Sequence, residues 1–285
     1  MLQLSKKEPE LDGIVSSQHA PVLVHEASGV VTALAYNWRD ARLAFCVGPE
    51  GWVHELSGDG RERVFREGFS GCSVVRYDCE GRLIGSVGGE QPLVRMLDDG
   101  TGREPVAGSY KSEPFEDIRR IATHSSGMVH CSDARSAGKP SRIYLINGES
   151  KDVVTASEAI QSPGSLCYSA DERYLYVAEP KNGRVLRMTI LLDGQLGFRC
   201  MFAVVEEGSH ADGELAFDSR GHLYWGCGQG VHVFDRGGKH LGAIATDKAC
   251  SSICFSSRDL KTLLIAEQNR IWSVRVAYAG ARPVL

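Results

Sequence analysis

Residues 162–190 read S-P-G-S-L-C-Y-S-A-D-E-R-Y-L-Y-V-A-E-P-K-N-G-R-V-L-R-M-T-I. Short apolar runs at 166–168, 174–178 and 185–188 alternate with polar residues, and turn formers stand between them at Asp171-Glu172 and Asn182-Gly183. Alternation with period two, broken at intervals by turn chemistry, predicts antiparallel strands joined by hairpins. Asn-Gly is among the strongest short hairpin signals. The stretch therefore reads as a three-strand meander.

The same pattern recurs along the chain. An apolar-x-aromatic core opens each copy, at Leu34-Ala35-Tyr36, Val75-Arg76-Tyr77, Leu166-Cys167-Tyr168, Leu215-Ala216-Phe217 and Ile253-Cys254-Phe255. The third copy in chain order, Ile121-Ala122-Thr123, lacks the aromatic. Successive starts lie 41, 46, 45, 49 and 38 residues apart. Second and third strands follow each core, and a fourth follows all but the last. A period in this range with four strands per unit marks a propeller blade. The sixth copy runs out of chain, but Val22-Leu23-Val24 offers the missing strand at the other end. Its use there would close the ring and remove an open sheet edge. The expectation is an all-β, six-bladed β-propeller over 21–285, closed by an N-terminal strand. Residues 1–20, with Lys6-Lys7-Glu8-Pro9-Glu10, read as a tail or strap.

Composition narrows the function. The chain of 285 residues carries a net charge of −4, with acids and bases interspersed. Nothing resembles the basic stripe of a nucleic-acid-binding protein. No apolar run approaches the roughly 18 residues of a membrane helix, and the start lacks the apolar core of a signal peptide. Nine cysteines, an odd number, fall mostly inside strand patterns. There Cys behaves as a small hydrophobe, which fits a reducing compartment and predicts a cytoplasmic protein. There is no G-x-S-x-G elbow and no Gly-rich phosphate loop.

S-P-G-S-L-C-Y-S-A-D-E-R-Y-L-Y-V-A-E resembles the N-G-L-A-F-S-P-D-x-x-x-L-Y-V-A-D sentence of the SMP-30/gluconolactonase/luciferin-regenerating-enzyme family. The segment 211–234 is similar to that family's P-D-G-M-A-V-D-x-x-G-N-L-Y-V-A blade, and 253–274 to its last blade. Strictosidine-synthase-like propellers share much of the pattern. The resemblance implies a six-bladed propeller that hydrolyses lactones or related esters with one divalent metal, usually calcium, on the axis. A metal there polarises the carbonyl and positions water. Calcium requires several oxygen ligands carrying negative charge. The family supplies them from the first residues of inner strands, a Glu, two Asn and an Asp.

Aligned two residues before each apolar core, these positions hold Thr32, Arg119, Gly164 and Gly213. A three-residue insertion in the third copy would instead bring Glu116-Asp117 into place. A bulge at Gly213 would restore Asp212. Asp212 is thus the candidate metal ligand and catalytic carboxylate. Arg119 and Glu116 are the candidate substrate-binding residues. The guanidinium of Arg119 paired with Asp212 or Glu116 would occupy the metal's space and favour an anionic ligand. Asp133, His124, His130 and the distant Glu26 are secondary candidates. Two functions follow as expectations. One is a gluconolactonase-like hydrolase of lactones or esters with a rearranged calcium site. The other is a non-catalytic propeller that binds a small anion or a protein partner at the axial mouth.

Overall fold

A computed structural model describes residues 2–282 apart from 16–19, 49–50, 66–70, 89–91, 98–101, 137–138, 159, 161, 206–212 and 229. Six antiparallel sheets of four or five strands follow one another along the chain. The innermost strands, in order, are Val31–Asn37, Val74–Tyr77, Ile118–Thr123, Leu166–Tyr168, Leu215–Phe217 and Cys250–Ser256. Each contains one of the apolar cores, and each sheet runs outward from it by simple meander. We call these sheets blades 1 to 6.

Blade 4 shows why the sequence folds this way. Leu166 pairs with Val177 and Tyr168 with Leu175, so the alternating apolar residues of neighbouring strands share a face. The turn between the second and third strands is longer than a two-residue hairpin. Pro180–Asn182 forms a 3-10 turn, and Gly183 closes it at φ 58°, a left-handed backbone that glycine adopts without a Cβ penalty. The two faces of each blade pack on its neighbours. Six apolar clusters result, one per interface between adjacent blades; Ile143, Leu166 and Leu175, for example, lie between blades 3 and 4.

The ring is closed at both ends of the chain. Val22–Glu26 pairs antiparallel with Arg270–Arg275 and completes blade 6. The first residues take an additional role. Gln3–Lys6 adds a fifth strand to blade 5 beside His240–Ala245. The following 3-10 turn Pro9–Gly13 buries Leu11 completely. At the C-terminus, Asp218 bridges Gly280 and Ala281 donates to the Phe217 carbonyl at 2.7 Å. Ala281 and Arg282 line one mouth of the ring. No helix among the described residues is long and apolar enough to cross a membrane.

Candidate functional site

Inner strands of a propeller surround the axis, so the site is built by their successive residues. Three of the six carry a register shift at the same place. In blades 1, 3 and 6 the extra residue is Thr32, Arg119 and Ser251. All three stand two before the apolar core, and Thr32 and Arg119 are at positions where the family's ligands are expected. Bulges re-aim side chains, so the backbone retains a device suited to an axial site.

The side chains at this level are not those of a cation site. Thr32 has a buried hydroxyl without a hydrogen-bond partner. Arg119 is half exposed and meets Asp117, Nε to Oδ2, at 2.8 Å. A Cβ on Gly213 would lie 1.9 Å from the Gly226 carbonyl oxygen, so no side chain fits there. Asp212 lies outside the described residues.

One residue further along the strands, a charged cluster crosses the axis. Glu214 of blade 5 is completely buried. Its carboxylate accepts from the Arg76 guanidinium, which comes from blade 2 on the opposite side of the ring. Arg120 of blade 3 approaches its other oxygen at 3.3 Å. Ser165 of blade 4 donates at 3.1 Å to the oxygen that Arg76 holds and accepts the Leu215 amide at 2.8 Å. Arg76 also donates to the carbonyls of Leu34 and Val75 at 3.0 and 3.1 Å. Removing a carboxylate from water costs several kcal/mol, which the pairing with two guanidinia and the Ser165 bond offset, although Glu214 Oε1 itself accepts no hydrogen bond. Four blades are tied together at one point.

The sequence signal for this cluster is an exception within the repeat. The middle residue of the apolar-x-aromatic core is Ala35, Ala122, Cys167, Ala216 or Cys254 in five copies, and Arg76 in the other. Five small residues leave the space that one long cation fills. Glu214 is the corresponding exception one position before the core, where the other copies have Ala33, Val74, Arg120, Ser165 and Ser252.

The remaining candidates sit apart. Glu116 lies away from Arg119, taken by Lys139, the Ser136 amide and Arg135. Lys139 holds its carboxyl down at about 2. Asp133 is buried and accepts the amides of Glu116 and Asp117 at 3.1 and 2.8 Å, so it fixes the loop entering blade 3; burial raises its pKa. Glu26 pairs with Arg270 on the closing strand. His124 is bonded to Ser126. His130 lies between blades 3 and 4, bonded to the Tyr168 hydroxyl and the Gly194 carbonyl, and burial lowers it to about 4.

Calcium would need several anionic oxygens facing one point. The described axial residues provide one carboxylate, already held by two guanidinia. No group of three or more His, Cys, Asp or Glu among the described residues is arranged to hold a metal ion. The described donor set does not fit the divalent cation that the family resemblance implies.

Six four- or five-stranded meanders with their inner strands around one axis define a six-bladed β-propeller. The sequence signature of the SMP-30/Gluconolactonase/LRE-like region matches residues 122–269, and the chain belongs to that family. No curated protein matches it in sequence. Among solved structures, a candidate gluconolactonase is 17% identical over 98% of this chain and 100% of its own, with a TM-score of 0.87. A gluconolactonase from Xanthomonas campestris is 19% identical over 96% and 95%, with a TM-score of 0.84. Regucalcin from Agrobacterium tumefaciens, a calcium-binding protein, is 19% identical over 96% and 97%, with a TM-score of 0.71. At these identities the likeness establishes the fold alone.

Proposed function

We propose that this chain is a small-molecule-binding member of its family that works without the axial metal. The observation that carries this reading is the Arg76–Glu214–Arg120 cluster, which spans the axis beside the expected metal position. An internal cation supports the ring where a bound one would, and a guanidinium on the axis favours an anionic ligand over a second cation. The alternative, a gluconolactonase-like hydrolase of lactones or esters with calcium, requires anionic oxygens that the described side chains do not supply. The nine cysteines are all free, including Cys46 and Cys72 with sulfurs 3.5 Å apart, which supports a reducing compartment such as the cytoplasm.

Calorimetric titration with calcium, followed by a lactone hydrolysis assay on the metal-loaded protein, tests this directly. The expected result is no binding heat up to roughly millimolar calcium and no turnover. Micromolar binding that Asp212→Ala abolishes, together with turnover, would overturn the proposal and establish a rebuilt hydrolase site.

A further inference from the structure

A second feature of the axis lies at the mouth opposite the bulges. There the inner strands end and the first turns of the blades come together around a cavity of about 260 Å³. This is near the lower end of small-molecule sites, which run from roughly 300 Å³ upward. The family's ligand positions are at the beginnings of the same strands, so the two places are separate ends of one channel. The Arg76–Glu214–Arg120 cluster stands between them.

The repeat motif builds this cavity in layers. The middle positions contribute small side chains and Arg76, all of which line it. The third positions form a collar of Tyr36, Tyr77, Tyr168, Phe217 and Phe255, interrupted only by Thr123. Arg76 is the floor: it keeps 19% of its side chain exposed while anchored to Glu214 and two carbonyls. Cys167 and Cys254 beside it are neutral thiols, since burial pushes both to about 12. At the rim Arg39 and Arg282 lie over the Trp38 ring, 5.6 and 4.7 Å from its centre. The two rim carboxylates are turned to other work. Asp78 caps its own turn and pairs with Arg82 and Arg95. Glu172 accepts the Ser125 amide at 2.9 Å.

We infer, resting on the small-molecule reading above, that this opposite mouth is a binding site for a flat, largely apolar molecule bearing one carboxylate. The aromatic collar takes the flat body, because aromatic side chains bind rings by stacking and edge contacts. The carboxylate descends to the Arg76 guanidinium, whose planar donors match it. Arg39 and Arg282 draw the anion toward the mouth. The ligand enters between the turns of the blades, not past Thr32 and Arg119.

The test uses naphthalene-2-carboxylate and its neutral counterpart 2-naphthamide, measured by calorimetry on the full chain. The carboxylate should bind at least about tenfold more tightly than the amide, the usual cost of losing a charge-assisted pair. Ala216→Leu narrows the small-residue layer without touching the ion cluster and should weaken the carboxylate by roughly tenfold or more. Arg119→Ala, at the other end, should leave its affinity unchanged. Arg76→Lys should lower the preference for the carboxylate over the amide, because a point charge replaces the fork; thermal melting confirms that each variant is folded. Equal affinity for the two probes, no binding of either, or loss in Arg119→Ala with retention in Ala216→Leu would overturn the inference. Calcium-dependent turnover with carboxylate binding still lost in Ala216→Leu would sink the metal-free reading and leave this site standing.

Discussion

The two ends of the propeller axis are made from the same six strands and behave as opposites. At the end where the strands begin, register shifts at Thr32, Arg119 and Ser251 distort the ladders. Just beyond them, charges from opposite blades meet at the fully buried Glu214. At the other end five of the six apolar cores end in an aromatic residue, and the axis opens into a cavity. The difference is one of residue size. Arg76 and Arg120 span the axis and fill it, while Ala35, Ala122 and Ala216 are too short to reach across. One strand register therefore yields a charged cluster across the axis and an open apolar cup a few residues apart.

The charged cluster should be the more costly end to disturb. Glu214→Ala leaves Arg76 and Arg120 facing one another across a mostly buried space. Breaking a buried pair by removing one partner costs about 3–5 kcal/mol. In a chain of this size that lowers the melting temperature by about 10 °C, and calorimetric or optical melting would measure it. A loss below about 1 kcal/mol would mean that the cluster contributes no more than a surface ion pair. The two ends would then not differ in the way their chemistry suggests.

The fold was legible because period-two alternation and turn residues are local, and both survive in every copy. Even the closure of the ring could be read, from the missing strand in the sixth copy and the apolar Val22-Leu23-Val24 at the start. The fifth strand of blade 5 was not, since Gln3–Lys6 has one apolar residue in four and only its partner His240–Ala245 makes it a strand. The charged cluster on the axis was not legible. The sequence offered Arg119 as the axial guanidinium, whereas Arg76 and Arg120 are the ones that meet Glu214. Which of Arg119 and Arg120 reaches the centre depends on a bulge, because one extra residue changes which side chain faces inward. Glu214 and Arg76 come from opposite blades, 138 positions apart, and no local pattern pairs them.

Acid should act on the open end. Tyr168, part of the aromatic collar, is braced by His130 at 2.5 Å. The Gly194 carbonyl can only accept, so Nε2 carries the proton and the neutral ring accepts from the Tyr168 hydroxyl at Nδ1. Burial depresses His130 to about 4, below the ordinary 6.5. As pH falls below about 6.5, the unfolded chain takes up a proton that the folded chain refuses. Stability is therefore full above that pH and declines between 6.5 and about 4, by up to about 1.4 kcal/mol per pH unit for this group. His232, also lowered to about 4 by burial, contributes in the same window. Melting of His130→Gln across that range should show a shallower slope than that of the parent chain. An unchanged slope would remove His130 from the account.

The smallest effect sharpens the comparison most, because it separates two adjacent arginines. Arg119 pairs with Asp117 where both side chains are 47% exposed. An exposed pair is worth about 0.2–1 kcal/mol and weakens with salt, since ions screen charges near water. Arg119→Ala should therefore shift unfolding by less than about 1 kcal/mol, and the shift should shrink further in high salt. Arg120 differs from it by one position and one bulge, yet its side chain is 11% exposed and faces Glu214. If Arg119→Ala destabilised as strongly as Glu214→Ala, with no salt dependence, Arg119 would belong to the cluster, and the bulge would not divide the surface of blade 3 from the axis.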